Sequence, residues 1–122
     1  MQEEMKKTDA LILQSGYTGP IHFRAPYGVD KRELKMVLYM SQRPHIVFDI
    51  LTDDFLNADV DVIVNHAVSK AVVGSIIALH DGDSGNVVCD RSELVKALPI
   101  MIKQLRDKGF NFYTISELLN MA

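Results

Sequence analysis

Apolar residues fall along the 122-residue chain in two rhythms. Short runs at 21–25, 45–50, 75–79 and 111–115 have the length and residue types of strands. The run Ser75-Ile76-Ile77-Ala78-Leu79 leads into His80-Asp81-Gly82 and lacks polar alternation, which predicts a strand of a parallel sheet covered on both faces. In 21–25 the alternation puts His22 and Arg24 on one face and Ile21, Phe23 and Ala25 on the other.

Between these runs the period is helical. A first helix is predicted over 2–14, with Met5, Leu11 and Ile12 apolar and Gly16 as its stop. Asp30 and Glu33 have capping-box spacing ahead of the stripe Leu34, Val37 and Leu38, and Arg43-Pro44 ends that helix. A third stripe, Val60, Ile63, Val64, Ala67, Val68 and Ala71, follows Asn57 and Asp59, either of which can cap it. Asp90 and Glu93 repeat the capping-box spacing before a helix over 91–108 that would bury Leu94, Val95, Leu98, Met101, Ile102 and Leu105. Pro99 should kink this helix, and Gly109 should close it. A short helix over 116–121, with Ser116 as its cap, ends the chain. The order predicts an α/β fold of four parallel βα units in a single domain, 1–122.

Ligand-facing chemistry in such folds lies beyond the carboxyl ends of the strands. Three strand ends here carry Arg24, Asp54 and His80. On one rim they can form a relay in which the carboxylate holds the imidazole tautomer and His80 acts as a general acid. A salt bridge between Arg24 and Asp54 that pins two loops, with His80 hydrogen-bonded nearby, is the other reading. His22 faces the same way as Arg24 and could line the rim, but His22, His45 and His66 each read as surface or core-edge residues rather than ligands. Asp53, Asp59 and Asp61 lack the glycine-containing pattern of a calcium loop and read as solvated charge. Gly82 and Gly85 do not form a phosphate-binding fingerprint.

Composition narrows the classes. A net charge of -3 gives no electrostatic footprint for nucleic acid or anionic membrane. Cys89 is the single cysteine, so no intramolecular disulfide is expected, and no Cys/His spacing suggests zinc. No apolar run reaches transmembrane length, and the charged first ten residues show no signal-peptide core, so the chain as given is expected in the cytoplasm.

Four stretches taken in chain order, 23–28, 47–55, 74–82 and 97–118, resemble the motifs of the polysaccharide deacetylases, a carbohydrate esterase family acting on chitin, chitooligosaccharides and peptidoglycan. Phe23-Arg24-Ala25-Pro26-Tyr27-Gly28 is similar to the family's third motif. Val47-Phe48-Asp49-Ile50-Leu51-Thr52-Asp53-Asp54-Phe55 is similar to its fourth, and residues 74–82 to its fifth. Ala97-Leu98-Pro99, Gly109-Phe110 and Tyr113-Thr114-Ile115-Ser116-Glu117-Leu118 resemble its last helix and strand. The resemblance implies the second half of a distorted (β/α) barrel and hydrolysis of the C–N bond of N-acetylated sugars. His80 would then protonate the leaving amine, with Asp54 tuning it and Arg24 orienting a base. The backbone N–H of Tyr27 would stabilise the oxyanion, with Pro26 beside it in the substrate-binding group. Phe55, Ala78 and Leu79 would shape the acetyl pocket.

Two family motifs have no counterpart. The sequence contains no Asp-Asp-Gly, the source of the base and one metal ligand, and no histidine pair at i and i+4, the source of two more. Phe55 stands for a tryptophan, Leu51 for a common aspartate and Ala78 for a leucine, the last enlarging the pocket. The family implies a divalent metal such as zinc, yet these residues alone are expected to bind none and to be inactive or nearly so. A half barrel leaves sheet edges and an apolar face open, which predicts a homo-oligomer or a complementing amino-terminal half. A non-catalytic glycan- or protein-binding remnant is the alternative.

Overall fold

The computed structural model of the chain describes residues 2–28, 31–82 and 90–121. Asp30, read as a helix cap, the loop residues Asp83, Ser84 and Gly85, and Cys89 lie outside the described residues. The chain divides into two compact units, Met1–Val47 and Phe48–Ala122.

The first unit holds helices α1 (Gln2–Gln14) and α2 (Arg32–Met40). Helix α1 spans the predicted residues and stops at Gly16, whose φ of 89° is a left-handed conformation that favours glycine. The segment 21–25 and the start of 45–50, predicted as strands, meet in a single parallel bridge between Phe23 and His45. Met5, Ala25, Leu34 and Leu38 form the core, with Phe23 and Val37 against it. Arg43 and Asp9 form a two-bonded pair, Nη1 to Oδ1 at 3.0 Å and Nη2 to Oδ2 at 2.7 Å. Hydrogen bonding from Arg43 holds the Asp9 carboxyl below the usual carboxylate range, and the same bond raises Arg43.

The second unit holds strands β1 (Ile50–Leu51) and β2 (Ile77–Ala78), then helices α3 (Val60–Lys70), α4 (Ser92–Asp107) and α5 (Ile115–Asn120). The strands are parallel, with Ile50 opposite Ile77 and Leu51 opposite Ala78. Residues 111–114, predicted to begin a fourth strand, are in no strand. The strands are shorter than the apolar runs because a ladder requires a neighbour at every residue. Among the described residues, β1 and β2 pair only with each other.

The core of this unit joins α3 and α4 through Ile63, Val64, Ala67, Val68, Ala97, Met101 and Leu105. The α3 stripe matches the predicted one. In α4 the buried line runs through Ala97, and Val95, expected inside, is exposed. Ala67 and Ala97 are both fully buried, and small side chains on two packed helices let their backbones approach. The helix continues through Pro99 without a break, its ring on the exposed side. Gly109 closes α4 in a Schellman motif, with Gly109 N–H on Arg106 C=O at 2.8 Å and Phe110 N–H on Leu105 C=O at 3.1 Å. At α5 the cap is Thr114 rather than Ser116, and Thr114 and Glu117 form a complete capping box.

Candidate functional site

Asp54 and His80 come together at the carboxyl ends of the two paired strands. Asp54 opens a short 3-10 turn, Asp54–Leu56, two residues after Thr52. Its side chain is wholly buried. A buried carboxylate requires hydrogen bonds, and this one has three among the described groups. His80 N–H donates to Oδ2 at 2.8 Å, Thr52 Oγ1 donates to Oδ1 at 3.0 Å, and His80 Nδ1 lies 3.0 Å from Oδ1. An ionised carboxylate only accepts hydrogen bonds, so pairing with an ionised Asp54 places the proton on Nδ1 and leaves Nε2 as the outward ring nitrogen. The His80 side chain is 41% exposed, so a buried anchor holds an accessible imidazole.

The neighbours follow from the two-residue period of β2. Ala78, buried, shares its face with His80, whereas Ile77 and Leu79 pack against the α3–α4 core on the other. Phe55, half exposed, sets its ring against the imidazole, with centroids 5.2 Å apart and planes tilted by 55°.

The strand pair is fixed from its other end by Asp49. Its Oδ2 accepts from Ser75 Oγ at 2.7 Å and its Oδ1 from Ile76 N–H at 2.6 Å. The Ser75 bond, with the Ile76 N–H, keeps the Asp49 carboxyl below the usual range. These bonds set the register that puts His80 level with Asp54.

Arg91, which sequence reasoning passed over, also reaches this place. Its guanidinium donates to the Asp54 carbonyl at 3.1 Å and twice to the Gly82 carbonyl, at 3.3 and 2.8 Å. The available signal was an arginine at a helix start, where an acid or a hydroxyl residue is usual. His66 Nδ1 lies 3.1 Å from Asp53 Oδ2, off the geometry of a hydrogen bond.

Arg24, Pro26 and Tyr27 belong to the first unit. Arg24 Nε donates to Ile46 C=O at 3.2 Å, and Ala25 N–H donates to His45 Nε2 at 3.3 Å. Pro26–Gly28 is a 3-10 turn with Tyr27 at φ 57°, a strained value for a tyrosine, and its side chain is 90% exposed.

The described residues do not fit the divalent metal that the resemblance implies, since no three His, Cys, Asp or Glu side chains among them come together. No helix among them is long and apolar enough to cross a membrane.

The geometry is that of a carboxylate-anchored histidine at the end of a parallel strand, with an aromatic ring beside it. Comparison with known proteins narrows it. No family profile matches the chain. It is 47% identical over 66 residues to the peptidoglycan-N-acetylglucosamine deacetylase of Bacillus cereus, covering 54% of this chain and 29% of that protein. It matches the Xyl-CE4 domain of a multidomain xylanase from the hindgut metagenome of Trinervitermes trinervoides with a TM-score of 0.80 and 32% identity, over 98% of this chain and 54% of that one. A family 4 carbohydrate esterase from Streptomyces lividans, solved with acetate, matches with a TM-score of 0.79 and 27% identity, over 93% and 55%. The chain resembles the polysaccharide deacetylases of carbohydrate esterase family 4, and it spans about half the length of these structures or less of the relative.

Proposed function

We propose that this chain supplies the acid side of a polysaccharide deacetylase-like hydrolase and works with a counterpart that carries the base and the metal site. The observation that supports it is the double hydrogen bond between buried Asp54 and accessible His80. After water has added to the acetamide carbonyl, the C–N bond breaks and its electron pair stays on nitrogen. Protonated His80 gives its Nε2 proton to that nitrogen, so the amine and acetate leave. Asp54 keeps the Nδ1 proton in place throughout, returning the ring to the tautomer ready for the next protonation. Ala78 and Phe55 shape the space for the acetyl methyl, and Leu79 fixes the strand that carries Ala78 and leads to His80. Arg24 and the Tyr27 N–H take the roles implied by the resemblance, orientation of the base and stabilisation of the oxyanion, with Pro26 beside them.

In this reading the chain forms half of a barrel, completed by a second copy or by an amino-terminal half. That β1 and β2 pair only with each other among the described residues supports it, because open parallel edges are unfavourable in water. Light scattering is expected to find an oligomer or a partner complex, and a well-folded monomer at micromolar concentration would overturn this part.

The decisive assay is release of acetate from N-acetylglucosamine oligomers with added zinc. The 122-residue chain alone should show no turnover above background. Mixed with a polypeptide carrying Asp-Asp-Gly and His-x-x-x-His, it should turn over, and His80→Ala should cut the rate by roughly 10²–10⁴-fold. Robust turnover by the chain alone, or complemented turnover that ignores His80→Ala, would overturn the proposal. The exposed Tyr27 ring favours one second reading, a glycan-binding remnant, because aromatic faces stack on sugars. Binding without hydrolysis in the complemented mixture, weakened by Tyr27→Ala, would select it.

A further inference from the structure

We infer that Arg91 is a positioning residue for the Asp54–His80 pair, holding the two loops that carry them at the separation their hydrogen bonds require. The inference rests on the acid role proposed for His80. Arg91 occupies the position before the first residue of α4 and makes no capping bond there. A cation at a helix start is unfavourable, because the helix dipole places partial positive charge at that end. A residue that breaks the local rule calls for a gain elsewhere.

That gain is visible in its partners. One guanidinium edge meets Asp54 C=O at 3.1 Å, on the turn that supplies the anchor. Its Nε and Nη2 meet Gly82 C=O at 3.3 and 2.8 Å, two residues beyond the imidazole. The chain separations are large: Arg91 lies 37 residues from Asp54 and 9 from Gly82. A planar fork with five donors in fixed geometry suits two carbonyls approached from one side chain, and an ammonium on a flexible stem holds them less rigidly.

The base of this clamp is packed into the core. Helix α4 is held by fully buried Ala97 and by buried Met101 and Leu105. Asp90 Oδ1 accepts from Ser92 N–H at 2.8 Å, so the first helical N–H is satisfied without the Arg91 side chain. The guanidinium is thereby left to the loops. It touches neither imidazole nor carboxylate, so it acts through Asp54 and His80.

The test reads the ring of His80 rather than turnover. Long-range ¹H–¹⁵N spectra of the full chain are recorded at about pH 8, where an ordinary imidazole is neutral. The unaltered chain should show His80 with its proton on Nδ1. In Arg91→Ala the Nε2–H population should rise by roughly tenfold, the scale of one lost charge-assisted hydrogen bond, while the ring signals of His45 and His66 stay in place. Arg91→Lys should fall between. A folded Arg91→Ala chain whose His80 keeps the original signals would overturn the inference. Where Arg91→Ala does not fold, Arg91→Lys decides, and original His80 signals there would overturn it equally. The two readings separate cleanly. Complemented hydrolysis indifferent to His80→Ala sinks the acid role alone, and an unmoved tautomer sinks the positioning role alone.

Discussion

Asp54 and His80 are joined by both the main chain and the side chain of the histidine. The backbone N–H of His80 meets one carboxylate oxygen at 2.8 Å and its Nδ1 meets the other at 3.0 Å, from 26 residues away in sequence. The first bond fixes where the strand ends, and the second fixes which ring nitrogen carries the proton. One buried carboxylate therefore sets both the position and the chemistry of the imidazole.

Replacing it by its amide separates these effects. In Asp54→Asn an oxygen can still accept from one His80 group, but the NH₂ turned to the other position cannot. The variant should lose about 1–3 kcal/mol of stability in denaturant titration, the cost of a buried polar group left unpaired. Its His80 ring should move toward the Nε2–H form. An unchanged midpoint together with an unchanged ring would show that the buried carboxylate is dispensable.

The Asp9–Arg43 pair makes the first unit sensitive to acid. The Asp9 carboxyl is depressed in the folded chain by its bonds from Arg43. A depressed acid contributes stability that is fully present above its unfolded value, about 3.9. That contribution fades as pH falls through the lower folded value. Melting curves between pH 2 and 7 should therefore show wild type and Asp9→Asn converging at the acid end and apart, by about 1 kcal/mol, near neutrality. Parallel curves at all pH values would refute the linkage.

Ala67 and Ala97 have no exposed surface in the α3–α4 core. Ala67→Leu adds volume where two helices meet and should cost roughly 1–3 kcal/mol or more in denaturant titration. Val95→Lys, on the exposed side of α4, should change stability by less than about 0.5 kcal/mol. A larger loss from Val95→Lys than from Ala67→Leu would mean the helix is rotated from the orientation described.

Helix α2 ends with a residue in an unfavourable conformation. Gln42 has φ 51°, its N–H bonds Tyr39 C=O at 3.1 Å, and Arg43 N–H bonds Leu38 C=O at 3.1 Å. This is the Schellman geometry in which glycine is preferred at the left-handed position. Gln42→Gly relieves more strain than it adds unfolded-state entropy and should raise stability by about 0.5–1 kcal/mol. Thermal melts that move down would show that the Gln42 side chain contributes contacts outweighing the strain.

Much of this architecture was legible because it is local. Helix α1 follows from its composition and Gly16, and α3 from an unbroken period of apolar residues. Asp54 and His80 were readable, along with Arg24, as rim residues because each ends an apolar run, and strand ends of a parallel sheet share one rim; the structure shows the Asp54–His80 bonds. The errors lie where distant residues decide. Val95 fits the period of α4 as well as Ala97 does, and only the approach of α3 selects the alanine. Ser116 and Thr114 are both capping residues, and the start of α5 decides between them.

The sequence by itself determined the helices and the glycine stops of α1 and α4, because these depend on interactions within a few residues. The tertiary structure alone decided the extent of the strands, the rotation of α4, the Asp49 bonds to Ser75 and Ile76, and the reach of Arg91 to two loops. Each of those is a contact between residues far apart in the chain, and no local period records which distant groups will meet.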